Sequence, residues 1–447
     1  MKDGPGEEKP PGVAEGPTQG GDIRSRWPWV KPEVWTERML EALENGVKGG
    51  RWFSLMDKVY ARKNLEVSWE QVRRNQGAAG VDGQSVGRFQ AQTTQYLDEL
   101  ERELKEGTYR PQGIRRQWIP KPGSDNLRPL GIPTVKDRIV QTALRNAMEP
   151  IFEKRFVEDS YGFRPGRGCK DALRRVDALL KAGYTHVVDA DIQSYFDTID
   201  HGLLLKEVER EIADGKVLEL IGRYLKQQVL EDTKAWTPEA GTPQGAVISP
   251  LLANIYLHPV DVALKAAGYA MVRYADDLVI LCKTEAQARQ ALELLEAEMS
   301  RKKLTLHPEK TRLVDAAQPG GFDFLGYHFE RGYRWPRKKS LDKLKDTVRR
   351  HTPRTSGQSL PYIIEQLNPV LTGWFGYFKH SHFTTFDRLD AWVRMRLRSI
   401  LRKWQKKTGR GRGSDHQRWP NAYFAQLGLF TLQGAHARAH QPRCRPH

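Results

Sequence analysis

The sequence predicts an α+β fold. Three observations carry that reading. Residues 27–106 and the C-terminal third repeat apolar side chains at helical spacing. The middle of the chain instead holds short apolar runs bounded by Gly, Pro, Asp and Asn, the pattern of strands and hairpins. With 447 residues and 39% hydrophobic content, the chain can bury two or three compact units.

In chain order, residues 1–26 are rich in Pro, Gly and Glu and read as a disordered tail. The helical stretch that follows is broken at Asn75–Gly83, a Gly-rich loop, which by residue type alone is a turn between helices. Residues 107–133 place Pro and Gly among strand formers, including Trp118–Gly123, and predict a hairpin with a flexible tip. His186–Ile192 is an apolar strand ending in acids. Asp197 and Asp200 fit as caps for a helix starting near His201. Leu251–Leu257 predicts an apolar helix, Ala270–Cys282 a hairpin and Gly321–Phe329 a shorter one. Leu360–Phe378 and Phe386–Lys407 predict helices. The second carries a stripe of Leu389, Val393, Leu397, Ile400, Leu401 and Trp404.

The most informative stretch is Tyr274-Ala275-Asp276-Asp277, two adjacent carboxylates at the tip of the 270–282 hairpin. Asp-Asp also serves as plain turn chemistry. Side by side, however, the two charges repel, and a cation relieves the repulsion. Hard oxygen ligands gathered at one point suit Mg²⁺. If the 186–192 strand pairs beside this hairpin, Asp191 joins the same site, and three carboxylates around two Mg²⁺ ions suit in-line phosphoryl transfer. Asp189 points to the opposite strand face and reads as structural.

Charge is unevenly placed. Residues 331–447 hold 25 Lys and Arg against six Asp and Glu, a net +19, within a chain of net +17 and pI near 9.6. Such an excess, interleaved with aromatics, points to nucleic acid. Membrane binding is the rival, but no apolar run reaches the ~18 residues of a spanning helix. Cys169, Cys282 and Cys444 are isolated, which fits a reducing cytosol and argues against a Cys-ligated zinc module. The twelve histidines show no zinc-ligand spacing. No basic and apolar leader marks a secretory signal.

Five segments occur in one family's order and spacing: Tyr161–Gly168 (YGFRPGRG), the Asp191-Ile192 strand, Gly241–Pro250 (GTPQGAVISP), YADD and Phe324–Tyr327 (FLGY). From about Trp52 to near the C-terminus the chain resembles bacterial group II intron reverse transcriptase/maturases. The resemblance implies a right-hand polymerase: a helical fingers extension, a palm built on an antiparallel sheet with helices, and an α-helical thumb, maturase domain X. The corresponding boundaries are 27–186, 187–332 and 333–408, with 409–447 as a basic DNA-binding tail.

The resemblance also implies roles. Asp191, Asp276 and Asp277, with Ile192 beside them, hold the two Mg²⁺ ions. Lys121 and Arg128 grip the triphosphate of an incoming deoxynucleotide, although residue type alone reads as a solvated loop. Phe196 excludes the ribose 2′-hydroxyl; its plain alternative is core packing. Gln244 and Gly245 contact template or nucleotide, with Ala246 standing where the family usually has a second glycine. Lys310 protonates departing pyrophosphate, or is simply an exposed lysine. The Gly-rich 75–83 segment helps hold the template. Phe324, Leu325 and Gly326 form a primer grip. Arg394, Arg398, Arg402, Lys403 and Lys406, on a helix that also carries Arg396 and Lys407, meet intron RNA, with a merely solvated face as the plain alternative; Arg410 and Arg412 meet DNA, although their Gly-Arg run also fits a flexible loop.

The expected function is RNA-directed DNA synthesis with binding of intron RNA, help in splicing and copying of the intron in retrohoming. Its partners would be group II intron RNA, target DNA, an RNA/DNA heteroduplex and deoxynucleoside triphosphates, in a bacterial cytoplasm at the nucleoid. Two rivals are a splicing-only RNA-binding protein and a reverse transcriptase recruited to defence. The three carboxylates speak against the first. Ser249-Pro250 after Gln244-Gly245 fits the intron class rather than the diversity-generating one, which ends this motif in Ser-Gln.

Overall fold

The computed structural model describes residues 23–120, 127–231, 234–407 and 413–440. Its strands are β1 (Ile114–Pro120), β2 (Leu127–Ile132), β3 (His186–Ala190), β4 (Val229–Glu231), β5 (Lys234–Trp236), β6 (Ala270–Tyr274), β7 (Asp277–Cys282), β8 (Arg312–Asp315), β9 (Phe322–Phe324), β10 (Tyr327–Glu330) and β11 (Tyr333–Pro336). The chain divides into two compact units, one ending at Leu313 and one beginning at Val314.

In the first unit the central sheet runs β6-β7-β3-β8. β6 and β7 form the expected hairpin, with Val272 opposite Val279. β7 pairs antiparallel with β3, Val188 opposite Ile280. These strands read as continuous apolar runs because helices cover them: Ser249–Ala266 packs on β6 and Glu285–Arg301 on β3 and β7. The helix Ser249–Ala266 starts with Pro250 in its first turn and is buried along most of its length, so it is apolar all round rather than striped. Glu285–Arg301 begins at Thr284, whose hydroxyl accepts the Gln287 amide.

A second sheet runs β2-β1-β4-β5. β1 and β2 make the predicted antiparallel hairpin, and β4 adds to β1 in parallel. The hairpin tip, with Lys121, lies outside the described residues. The predicted helices of residues 27–106 are present, and their buried faces join one continuous core with the helix Val135–Glu153. The loop after Asn75 is pinned rather than merely connecting: Arg138 donates to Ala78 O (2.7 Å) and Arg115 to Ala79 O (2.7 Å).

The second unit opens with the sheet β11-β10-β9, then helices Lys338–His351, Leu360–Phe378 and Thr384–Trp404. The short hairpin 322–330 belongs to this unit. Residues 413–440, expected as a tail, form three helices. Their Trp419, Phe424, Leu429 and Leu432 fill the same core as Leu389, Val393 and Leu397. Trp404 departs from the predicted stripe: it is exposed, and its indole N–H donates to Ser356 O (3.2 Å). Among the described residues no helix is long and apolar enough to cross a membrane.

Candidate active site

The β6–β7 turn carries the two adjacent acids. Tyr274 pairs with Asp277, so Ala275 and Asp276 are the turn residues. Ala275 has φ of 59°, a position where hairpins usually place glycine. A network of hydrogen bonds holds this turn. Arg273 Nη1 donates to Ala275 O (2.9 Å) and to Asn254 Oδ1 (2.9 Å). The rest of that guanidinium grips the Asp261 carboxylate, through Nε (2.8 Å) and Nη2 (2.5 Å). Both partners are 1% exposed. Burial opposes the charge on Arg273, but Asp261 outweighs it and raises the affinity for the proton.

Further support comes from the YGFRPG segment. Tyr161 N donates to Arg273 O (2.8 Å), and Asn254 Nδ2 donates to Gly162 O (2.8 Å). A Cβ on Gly162 would stand 2.2 Å from Ala275 N, so only glycine lets this backbone lie against the turn. Arg273, Asp261, Asn254 and Gly162 were not singled out from the sequence as a brace. Their common signal is weak: polar residues inside two otherwise apolar segments, and a glycine in a third.

Asp191 follows the last residue of β3. The final ladder pair is Ala190 with Leu278, and one step further the register sets Asp191 across from Asp277. Burial pushes the Asp276 carboxyl above its usual range, and the nearby Asp191 charge pushes it the same way. Ile192 is buried and bridges to Leu306. Lys310 Nζ donates to Asp191 Oδ2 (2.9 Å). Asp189 is paired elsewhere, accepting from Arg312 (2.8 Å), as its place on the other face of the strand requires.

Among the described residues no three acidic, imidazole or thiol side chains converge as a ready ligand set for a metal ion. The Asp191 carboxylate pairs with Lys310 (2.9 Å). The donor chemistry still fits a divalent cation. Hard oxygens sit at one end of one sheet, and one of them resists ionising because of burial and a like charge, costs that a cation relieves.

Phe196 is half-buried, its ring edge-on to Tyr195 at 5.4 Å. Its carbonyl accepts the Thr242 amide (2.7 Å), which ties it to the Gly241–Gly245 loop. Gln244 O accepts the Gly131 amide of β2 (2.6 Å). Gly245 has φ of 107°, and a Cβ there would meet Gly131 O at 2.5 Å. Ala246 has no positive φ and is buried, so the missing second glycine leaves the loop intact. Arg128 is exposed on β2. Asp200 caps the helix His201–Glu209 as expected, whereas Asp197 does not cap it and lies in the short helix Tyr195–Thr198.

Two family models match the chain: reverse transcriptase (RNA-dependent DNA polymerase) over residues 119–329, and the group II intron maturase-specific domain over 341–419. Protein YkfC of Escherichia coli is 37% identical over 294 residues, which is 56% of this chain and 76% of that protein. The group II intron-encoded protein LtrA of Lactococcus lactis is 39% identical over 197 residues, 44% of this chain and 32% of that protein.

The chain belongs to the group II intron-encoded reverse transcriptase/maturase family.

By class it is an RNA-directed DNA polymerase, and its reverse transcriptase domain is of a kind that works with divalent metal ions. The chain spans about a third of the length of LtrA and about half that of a putative yeast COX1/OXI3 intron 1 protein, to which it is 25% identical over 407 residues. A partial Cas6-RT-Cas1–Cas2 complex aligns at 20% identity and a TM-score of 0.34, covering 56% of this chain and 43% of that one. That likeness is too weak to add to the sheet topology.

In the maturase unit the Phe324-Leu325-Gly326 segment is a two-residue hairpin turn, with Phe324 opposite Tyr327 and positive φ at Leu325 and Gly326. Tyr377 OH donates to Leu325 O (2.7 Å) and Ser340 Oγ to Gly326 O (3.1 Å), so two helices hold the turn. The basic residues of the helix Thr384–Trp404 divide between buried and exposed positions. Arg398 is buried and donates to Trp419 O (2.9 Å) and Asn421 Oδ1 (2.8 Å). Arg402 pairs with the buried Asp415 (2.5 Å). Both arginines tie the 413–440 helices to the unit. Arg396 is likewise engaged, donating to Thr352. Arg394 is half-buried, and Lys403, Lys406 and Lys407 are exposed. Arg410 and Arg412 lie outside the described residues.

Proposed function

We propose that this protein copies RNA into DNA with two Mg²⁺ ions held by Asp191, Asp276 and Asp277, binds the RNA of its own group II intron through the basic maturase unit, and assists that intron's splicing and return to DNA. The observation that carries the reading is the set of three acids at one end of one sheet, two of them at a turn braced from inside by Arg273 and the third at the end of the neighbouring strand. A protein that only bound RNA would need neither the acids nor the brace.

Bound Mg²⁺ would lower the pKa of the attacking hydroxyl and neutralise charge on the leaving pyrophosphate. The chain's own groups do the rest. Lys310, 2.9 Å from Asp191, is within reach of the acidic site and carries a proton to give the leaving group. Phe196 stands beneath the incoming sugar, and Gln244 and Gly245 offer backbone and amide groups to the base pair. Lys121 and Arg128 hold the triphosphate from the fingers hairpin. In this reading residues 27–186 serve as fingers, 187–332 as palm with primer grip, 333–408 as thumb and 409–447 as a DNA-contacting segment. The work takes place in a bacterial cytoplasm on nucleoid DNA.

Asp276→Ala and Asp277→Ala test the reading. Primer extension on an RNA template should fall by about a thousandfold or more, the loss of several kcal/mol of transition-state stabilisation. Filter binding of the intron RNA should stay within a few-fold. Normal extension by both variants would remove the assignment.

A further inference from the structure

The maturase unit contains a cavity that neither the active site nor the expected basic residues explain. It has a volume of about 390 Å³ and is walled by Trp335 of β11, Leu341 and Lys345 of the helix Lys338–His351, and Arg388 and Trp392 of the helix Thr384–Trp404. Two indoles on one small cavity suit a flat ring. Among the described residues neither Lys345 nor Arg388 has an acidic partner, and Arg388 is exposed. Arg349, paired with Asp346 (2.5 Å), and Arg396, held by Thr352, lie over the Trp392 ring, each 5.7 Å from its centre, so the charge free for a ligand is that of Lys345 and Arg388.

A run of rings continues from this cavity. His382 lies 5.8 Å from Trp335, 5.0 Å from Tyr333 and 4.5 Å from Phe383. Tyr333 and Phe383 are 56% and 62% exposed. Large rings left in water beside uncompensated cations make a stacking platform for unpaired bases, with the cations placed for phosphates. A peptide partner would need acidic groups to answer this charge. A strand of nucleotides supplies both the ring and the anion.

We propose that this cavity takes one unpaired RNA nucleotide, its base against the indoles of Trp335 and Trp392 and its phosphates on Lys345 and Arg388. The proposal rests on the reading that the unit binds intron RNA, and it narrows that reading to a bulged or looped position rather than a continuous duplex.

The probe is an RNA hairpin with one bulged 2-aminopurine, compared with the same hairpin fully paired and with its DNA equivalent, on the full-length protein. The bulged RNA should bind about tenfold more tightly than the paired one, with quenching of the fluorescent base. Trp335→Leu should remove both the preference and the quenching. Arg388→Gln with Lys345→Gln, which alters only side chains at the cavity mouth, should flatten the salt dependence for the bulged RNA by more than one unit in slope. The absence of a bulge preference would overturn the proposal. So would its survival in a Trp335→Leu protein of unchanged melting temperature. Should that variant fail to fold, an unchanged salt slope in the double variant overturns it instead. Equal preference for the DNA bulge would overturn the RNA assignment. Retention of the wild-type protein's own intron transcript on a filter separates the two claims. If that transcript is not retained, the broader reading falls; if it is retained without a bulge preference, only the pocket falls.

Discussion

The acidic turn of the first unit and the basic helix of the second both announce themselves by charge, yet they use charge in opposite ways. At the turn the residues read as chemical are gathered at one sheet end, and the supporting charge, Arg273 with Asp261, is fully buried behind them. On the helix the residues read as RNA contacts divide. Arg398 and Arg402 are internal ties, while Lys403 and Lys406 face water. A hairpin tip leaves two carboxylates few directions to point. A helix with basic residues on several faces offers both inside and outside, and net charge does not say which arginine goes where.

The comparison breaks most sharply at Arg273. Replacing it by Met leaves Asp261 buried without its partner, and removing one half of such a pair costs about 3–5 kcal/mol. Urea unfolding should show that loss. Adding Asp261→Leu should recover most of the stability, because the orphaned charge is gone. DNA synthesis should stay low in the double variant, since the Ala275 carbonyl is still unheld. Stability equal to wild type in Arg273→Met would mean that the pair does not brace the turn.

A second buried acid in the first unit sharpens the point. Asp137 accepts from Tyr109 OH, from Thr134 OH (2.8 Å) and from Gln112 N (3.2 Å). Burial nevertheless pushes its carboxyl up to about 6. The unfolded chain releases this proton near pH 4, so between about pH 4 and 6 the native state binds more protons than the unfolded one. Stability must therefore fall as pH rises through that window and level off above it, by on the order of 3 kcal/mol. Asp137→Asn should flatten the profile between about pH 4 and 6. A wild-type profile that rises across the window would show that the three donors win over burial.

These two predictions concern residues that the sequence hid, and the reason is sequence distance. YADD, the Asp191 strand, the fingers hairpin and the Leu360–Phe378 helix are local patterns, and each formed as its own residues dictate. The brace is not local. Gly162 meets Ala275 across more than a hundred residues, and nothing near Gly162 names its partner. β4 and β5 escaped for another reason: each is three residues long, too short to show a period, and β4 pairs in parallel with a distant strand. The 413–440 helices were masked by a Gly-Arg run that reads as a loop, although Trp419, Phe424 and Leu432 supply a core face.

Phe196 gives a smaller effect on the acidic side. Its carbonyl is tied to Thr242, so Phe196→Ala should leave the backbone in place and remove only the ring. Incorporation of ribonucleotides relative to deoxyribonucleotides should rise about ten- to one-hundredfold, the scale of discrimination by fit in a pocket. An unchanged ratio with intact activity would assign the ring to packing alone.

The smallest effect tests the basic side directly. Lys403→Gln with Lys406→Gln removes two exposed charges, and the log–log salt dependence of intron RNA binding should flatten by about 1.4 units, at roughly 0.7 per phosphate contact. Melting temperature should not move, because neither side chain is packed. Arg398→Gln should do the reverse. It leaves Trp419 O and Asn421 short of a donor inside the unit, a cost of about 1–3 kcal/mol, while the salt slope stays as it was. Should Arg398→Gln flatten the slope with no loss of stability, its guanidinium must leave the interior to meet RNA. The division between internal ties and outward contacts would then be a property of the unbound protein alone.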